Sequence, residues 1–201
     1  MTKRNPVPQQ QSGASTDTVE KITLPTMEEA RQHFMLVKTR LLDITQWHEL
    51  AGMASAKFRL TDQEGTPINR TARPGDYFQI SIPGPGSEAG EGHDWAQIEA
   101  IEQEQEDEEE WLAIRVRPAS NPTNEKPEAA HFFTSEASST FMVTRKGLTI
   151  SAEVHGRNER SNNEETTLAD TVRNTVIALG AMLGFSKMQW SALVKGLLSK
   201  E

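Results

Sequence analysis

Thr140-Phe141-Met142-Val143-Thr144-Arg145-Lys146-Gly147-Leu148-Thr149-Ile150-Ser151-Ala152-Glu153-Val154-His155 decides how this chain folds. Two runs, Thr140 to Arg145 and Leu148 to His155, are separated by Lys146-Gly147, the spacing of a β-hairpin. The second run alternates strictly. Leu148, Ile150, Ala152 and Val154 share one face, while Thr149, Ser151, Glu153 and His155 share the other. One apolar and one polar face is the pattern of an antiparallel sheet that packs on one side only.

Upstream, the same period of two recurs. Leu112, Ile114 and Val116 lie opposite Arg115 and Arg117, and Ala96, Ile98 and Ala100 lie opposite Trp95, Gln97 and Glu99. Phe78, Ile80 and Ile82 form a further face that ends at Pro83-Gly84-Pro85-Gly86. Phe58 and Leu60 precede a turn around Asp62-Gln63-Glu64-Gly65. The acids between Glu99 and Glu110 read as a solvated hairpin end whose charges discourage edge pairing.

Before these strands, Thr26 and Glu29 have the spacing of a capping box. The helix it opens places Ala30, Phe34, Val37, Leu41 and Ile44 on one face, extended by Trp47 and Leu50 up to Gly52 without an obvious break. Val19 to Leu24 reads as a first strand stopped by Pro25. Residues 1–18 mix Pro, Gln, Ser, Gly and Thr without periodicity and are expected to be a disordered tail. Residues 19–201 are expected to form a single α+β domain.

After a polar loop from Pro118 to Glu128, Thr167 and Asp170 cap a helical pattern of Leu168, Val172, Val176, Leu179 and Leu183. Gly184 reads as a C-cap, and Ser186 with Gln189 repeats the capping spacing before Trp190, Leu193, Val194 and Leu197. The fold class is therefore α+β: an antiparallel sheet of about six or seven strands against a long or broken C-terminal helix.

Strand, helix, about six strands and a final helical segment, over roughly Val19 to Lys200, is the element order of the helix-grip fold. In that order the chain resembles the superfamily of START domains, polyketide cyclases and plant pathogenesis-related lipid binders. The Gly184-Phe185-Ser186 break and the unbroken first helix depart from it. Gly75-Asp76-Tyr77-Phe78-Gln79-Ile80 and Gly92-His93-Asp94-Trp95 also resemble segments of uncharacterised bacterial proteins. What the superfamily resemblance implies is a curved sheet and a C-terminal helix enclosing a cavity for an apolar or amphipathic small molecule. Phe78, Ile80, Ile114, Ile150, Met182 and Trp190 are the expected lining; the plainer alternative makes them ordinary core side chains.

The composition excludes several chemistries. None of the 201 residues is cysteine, so disulfides, thiolate metal sites and cysteine nucleophiles are absent. A formal charge of -8 weighs against a nucleic-acid partner. No long apolar span calls for an integral membrane protein, and a cytoplasmic location is the expectation. His33, His48, His93, His131 and His155 lack a metal-ligand spacing, and no motif calls for a cofactor. The glycine-rich loop Gly84 to Gly92, ending in His93-Asp94, lacks the ending of a P-loop.

Two polar sets remain. Arg115, Arg117, Glu153 and His155, with Arg157, either line a cavity mouth and bind a carboxylate or phosphate, or form a charge ladder on the outer face; the ladder is preferred. Glu153 with His155 is also an acid/base pair in outline. Ser135, Ser138 and Ser139 lie near His131 without a nucleophile elbow. The leading functional reading is a non-enzymatic binding domain for a small apolar or amphipathic ligand. A protein-interaction module using the acidic segment from Glu99 to Glu110 or the N-terminal tail is the second. A cyclase- or hydrolase-like enzyme comes third.

Overall fold

The computed structural model describes residues 5–52, 56–81, 91–106, 108–124, 131, 133–160 and 187–200. Among them, seven strands form one antiparallel sheet: β1 (Ala14–Thr23), β2 (Lys57–Thr61), β3 (Tyr77–Ser81), β4 (Asp94–Gln105), β5 (Glu109–Pro118), β6 (Ser138–Lys146) and β7 (Thr149–Glu159). The order across the sheet is β1-β7-β6-β5-β4-β3-β2. After β1 the chain crosses to the opposite edge through α1 (Met27–Leu42), a 3₁₀ turn (Ile44–Gln46) and α2 (Trp47–Ala51), then meanders back from β2 until β7 pairs with β1. This is an α+β fold with a curved sheet, and its element order is the one the helix-grip resemblance implied.

Register fixes which side chains meet. Ile114 of β5 stands opposite Phe141 of β6, and Phe141 opposite Val154 of β7, so these three share the inner face. Arg115, Thr140 and His155 are the matching row on the outer face. α1 covers the inner face with Ala30, Phe34, Val37 and Leu41, all buried. Thr26 is its N-cap as expected, with Glu29 N–H donating to Thr26 Oγ1 at 3.2 Å, and the Glu29 carboxylate reaches back to the Thr26 hydroxyl, which donates to Oε1 at 3.1 Å.

Residues 187–198 are helical and bury Leu193, Val194, Leu197 and Leu198 in the same core. Gly196 allows the close approach, because a Cβ there would overlap the Leu50 backbone. α1 satisfies the carbonyls beyond the last turn. Arg40 Nη1 donates to Leu197 O at 3.1 Å and Ser199 O at 2.6 Å, and His33 Nε2 donates to Leu198 O at 3.0 Å.

Three expectations need correction. The first strand begins at Ala14 rather than Val19, so residues 14–18 belong to the sheet and not to a tail: its bonds are made by backbone in register with β7, which needs no apolar side chains. The first helical region does break, at Asp43, whose φ of -93° and ψ of 72° leave the helix before the 3₁₀ turn. In β4 a register shift between Ile98 and Ala100 moves Ile101, not Ala100, onto the inner face opposite Ile114. Gln189 Oε1 accepts the Ala56 N–H at 2.7 Å, while Ser186, its expected capping partner, lies outside the described residues. The helical pattern 167–183 and the Gly184 break lie outside the described residues.

Candidate functional site

Between the inner face and the C-terminal helix lies a cavity of about 50 Å³. Its apolar wall comes from Phe58 of β2, Phe78 and Ile80 of β3, Ala96 of β4, Val116 of β5, and Phe141 of β6. Trp190 of the C-terminal helix closes it, with its ring centroid 5.0 Å from Phe141 and 6.2 Å from Phe58. Trp47 braces the same rings from behind, 4.6 Å from Phe141 and 5.5 Å from Phe58, and anchors its own indole N–H on Leu41 O at 3.1 Å.

The polar wall is less ordinary. Ser138, Glu159 and Gln189 are buried in it, and Ser138 Oγ, Glu159 Oε2 and Gln189 Nε2 have no hydrogen-bond partner. Buried polar atoms are almost always paired, because each orphan costs about 1–3 kcal/mol. Five such atoms occur among the described residues, and three of them belong to this one cavity; Thr134 Oγ1 and Thr140 Oγ1 lie outside its lining.

Glu159 reaches the cavity through an irregular strand end. Ala14 pairs with Glu159 but Thr16 pairs with Gly156, so Arg157 and Asn158 of β7 stand against Ser15 of β1, a bulge of one extra residue. Asn158 there has φ of 56°, a conformation that asparagine tolerates better than most residues, and its Oδ1 accepts Gln11 N–H at 2.8 Å and Ser12 N–H at 3.2 Å. The Glu159 carboxyl then folds back over Gly156, accepting from Thr16 Oγ1 at 3.2 Å through Oε1. Burial pushes its pKa up, against the opposing influence of the Thr16 hydrogen bond and the Arg157 charge.

His131 lines the same cavity. Its Nδ1 accepts the Phe133 N–H at 3.1 Å, which a protonated Nδ1 could not do, and loss of hydration pushes the imidazole down to about 3. It is therefore a neutral imidazole at any ordinary pH. Asp94 lies on the inner face of β4 opposite Ile80, and burial raises its carboxyl to about 7.

Of the residues expected from sequence, Phe78, Ile80, Trp190 and Arg117 line the cavity. Ile114 and Ile150 are fully buried in the core without bordering the cavity. Met182 lies outside the described residues. Arg115, Glu153 and His155 are on the outer face, in the charge ladder. Arg115 Nε donates to Glu99 Oε2 at 3.1 Å; Arg117 Nε bonds the other oxygen of Glu99. His155 is held between Asp17 Oδ1 at 2.6 Å and Glu153 Oε2 at 3.0 Å, while Arg157 Nη2 reaches Asp17 at 2.8 Å. The Glu153 hydrogen bond raises the His155 pKa against desolvation. Glu159 and Gln189 were not among the residues expected to bind a ligand, and no local motif marks either. Ser138 and Ser139 were noted near His131, and the fold does bring all three to one cavity.

Among the described residues there is no group of three His, Cys, Asp or Glu side chains able to hold a metal ion, and no helix long and apolar enough to cross a membrane.

No family model and no curated protein matches the chain. Similar solved structures include a hypothetical protein from Helicobacter pylori, 18% identical, covering 96% of this chain and 97% of that one, with a TM-score of 0.48. A protein from Bacillus thuringiensis is 15% identical over 92% of this chain and 100% of that one, with a TM-score of 0.42. Truncated norcoclaurine synthase from Thalictrum flavum is 10% identical over 96% and 100%, with a TM-score of 0.41. At these identities and scores none of them lends an activity to this chain.

Proposed function

We propose that this protein is a non-enzymatic binding domain that holds a small, largely apolar molecule between the sheet and the C-terminal helix. The observation that carries the reading is the coincidence, in one cavity, of an aromatic and aliphatic wall with three buried polar atoms that lack protein partners. Such an arrangement is what ligand pockets share: apolar bulk for affinity and a few convergent polar groups for orientation. Arg115 and His155 on the outer face, and Arg117 beside the cavity, are already paired with carboxylates and leave little for an anionic ligand.

At about 50 Å³ the cavity has room for one or two waters, well below the ~300 Å³ at which drug-sized pockets begin. A larger guest therefore requires Trp190 and its helix to move outward. The test is thermal unfolding with and without ethylbenzene and acetophenone, in wild type and in Ala137→Val, which adds two methyl groups at a buried lining position. The reading expects at least one of the two to raise the wild-type Tm, and the shift to shrink in Ala137→Val. Equal shifts in both proteins, or none, would contradict it.

A further inference from the structure

We propose that the polar end of this cavity selects neutral ligands whose head group is a hydrogen-bond acceptor, such as a ketone, ester or amide carbonyl, over carboxylates and phosphates. This rests on the binding-domain reading above and assigns it a ligand class.

The argument is an inventory of donors. Gln189 Oε1 is committed to the Ala56 N–H, which fixes the amide so that the unpartnered atom is the donor Nε2. Glu159 Oε1 is committed to the Thr16 hydroxyl, so when the carboxyl is protonated Oε2 is the position for its proton, a state that burial favours. Ser138 Oγ supplies a third hydroxyl that turns to suit its partner. With the carboxyl protonated, two donors and one adaptable hydroxyl line the cavity, and they match a group with two lone pairs and no proton, which describes a carbonyl oxygen.

The surrounding charges argue against an anion. The charges that act on Glu159 are those of Arg157 and Asp17 from the β1–β7 edge; Arg117 and His131 line the same cavity. Arg157 is paired with Asp17, and Arg117 donates to Glu99 through Nε and to Glu136 O through Nη1 at 3.0 Å. His131 already accepts through Nδ1, so it is held as the neutral imidazole. A carboxylate head would meet guanidinium groups that already have carboxylate partners, and it would be repelled wherever Glu159 is ionised. The same logic gives the binding a pH dependence: ionisation of Glu159 removes one donor and weakens a carbonyl ligand.

The experiment measures the affinities of acetophenone, ethylbenzene and benzoate for the full chain by ligand-detected NMR at pH 5.5 and pH 8.5. The inference expects acetophenone to bind about tenfold more tightly than ethylbenzene at the lower pH, the worth of one well-made hydrogen bond, and benzoate to bind more weakly than acetophenone at both. Acetophenone should weaken toward pH 8.5 in wild type. Glu159→Gln, which keeps a donor at every pH, should flatten that profile. Gln189→Glu retains an acceptor for the Ala56 N–H but replaces the donor, so it should narrow the gap between acetophenone and ethylbenzene. Equal binding of acetophenone and ethylbenzene, or tightest binding of benzoate, would overturn the ligand class while leaving a binding cavity. Binding of none of the three, with the cavity occupied by water alone, would overturn both.

Discussion

The Glu159 carboxyl occupies the space that a side chain on Gly156 would need: a Cβ built on Gly156 would overlap both Glu159 Oε1 and Thr16 Oγ1. Three residues apart on β7, the two positions act as one device, in which the absent side chain of the first makes room for the carboxyl of the second. The bulge at Arg157 and Asn158 supplies the change of direction. The account of the cavity depends on this relationship, because it is what brings an acid to the polar end.

Gly156→Ala should therefore displace the carboxyl and cost about 1–3 kcal/mol, the range for overpacking a filled site. The double variant Gly156→Ala, Glu159→Ala should recover part of that loss, with a coupling of about 1 kcal/mol or more in urea unfolding. Strictly additive losses would show that the two residues do not compete for the same space.

Asp94 gives the sharpest pH prediction. Its folded carboxyl is raised to about 7, so the folded state holds a proton that the unfolded chain releases near pH 4. Stability should thus fall by roughly 4 kcal/mol as pH rises from about 4 to about 7 and level off above it. Asp94→Asn should remove that slope and be the more stable protein at pH 8. An unchanged slope in the variant would assign the effect elsewhere.

On the outer face the sign is opposite. His155 has a raised pKa through its contact with Glu153, so its contribution is fully present below the unfolded imidazole value near 6.5 and is lost as pH climbs through the folded one. Glu153, held down by the same contact, contributes above the ordinary carboxylate range and loses that contribution as pH falls. His155→Gln should cost about 1 kcal/mol at pH 6 and close to nothing at pH 9 in paired unfolding curves. An equal cost at both would deny the charged pair.

At the far end of the sheet Arg145, 2% exposed, donates Nε to Glu110 Oε1 at 2.8 Å, with Lys38 Nζ 3.5 Å from the other oxygen. Glu110→Ala should cost about 3–5 kcal/mol by stranding a buried guanidinium, whereas Glu110→Leu combined with Arg145→Met should cost far less. Similar losses in both would mean that packing rather than charge governs the site.

These residues also show how far the sequence could be read. Alternation in Leu148 to Val154 and in Leu112 to Val116 revealed the strands and their inner faces, and Thr26 with Glu29 revealed the start of α1, because these signals are local and physical. The β4 bulge was invisible: a backbone register shift at Glu99 leaves Ala100 and Ile101 as plausible as before and exchanges their faces. β1 was cut short because Ala14 to Thr18 pair through backbone groups alone. Phe78, Ile80 and Trp190 were legible as lining because large apolar side chains on an inner face have few other places to go. Glu159 and Gln189 were not, since their roles depend on Gly156, Asn158 and Ala56, partners that only the folded chain assembles.

The most direct test of the central claim is native mass spectrometry of the full chain purified without denaturant, before and after incubation with excess acetophenone. The account predicts a one-to-one adduct, whether a co-purified lipophilic molecule or the added ketone, that is diminished in Ala137→Val. The bare polypeptide mass under both conditions would contradict it.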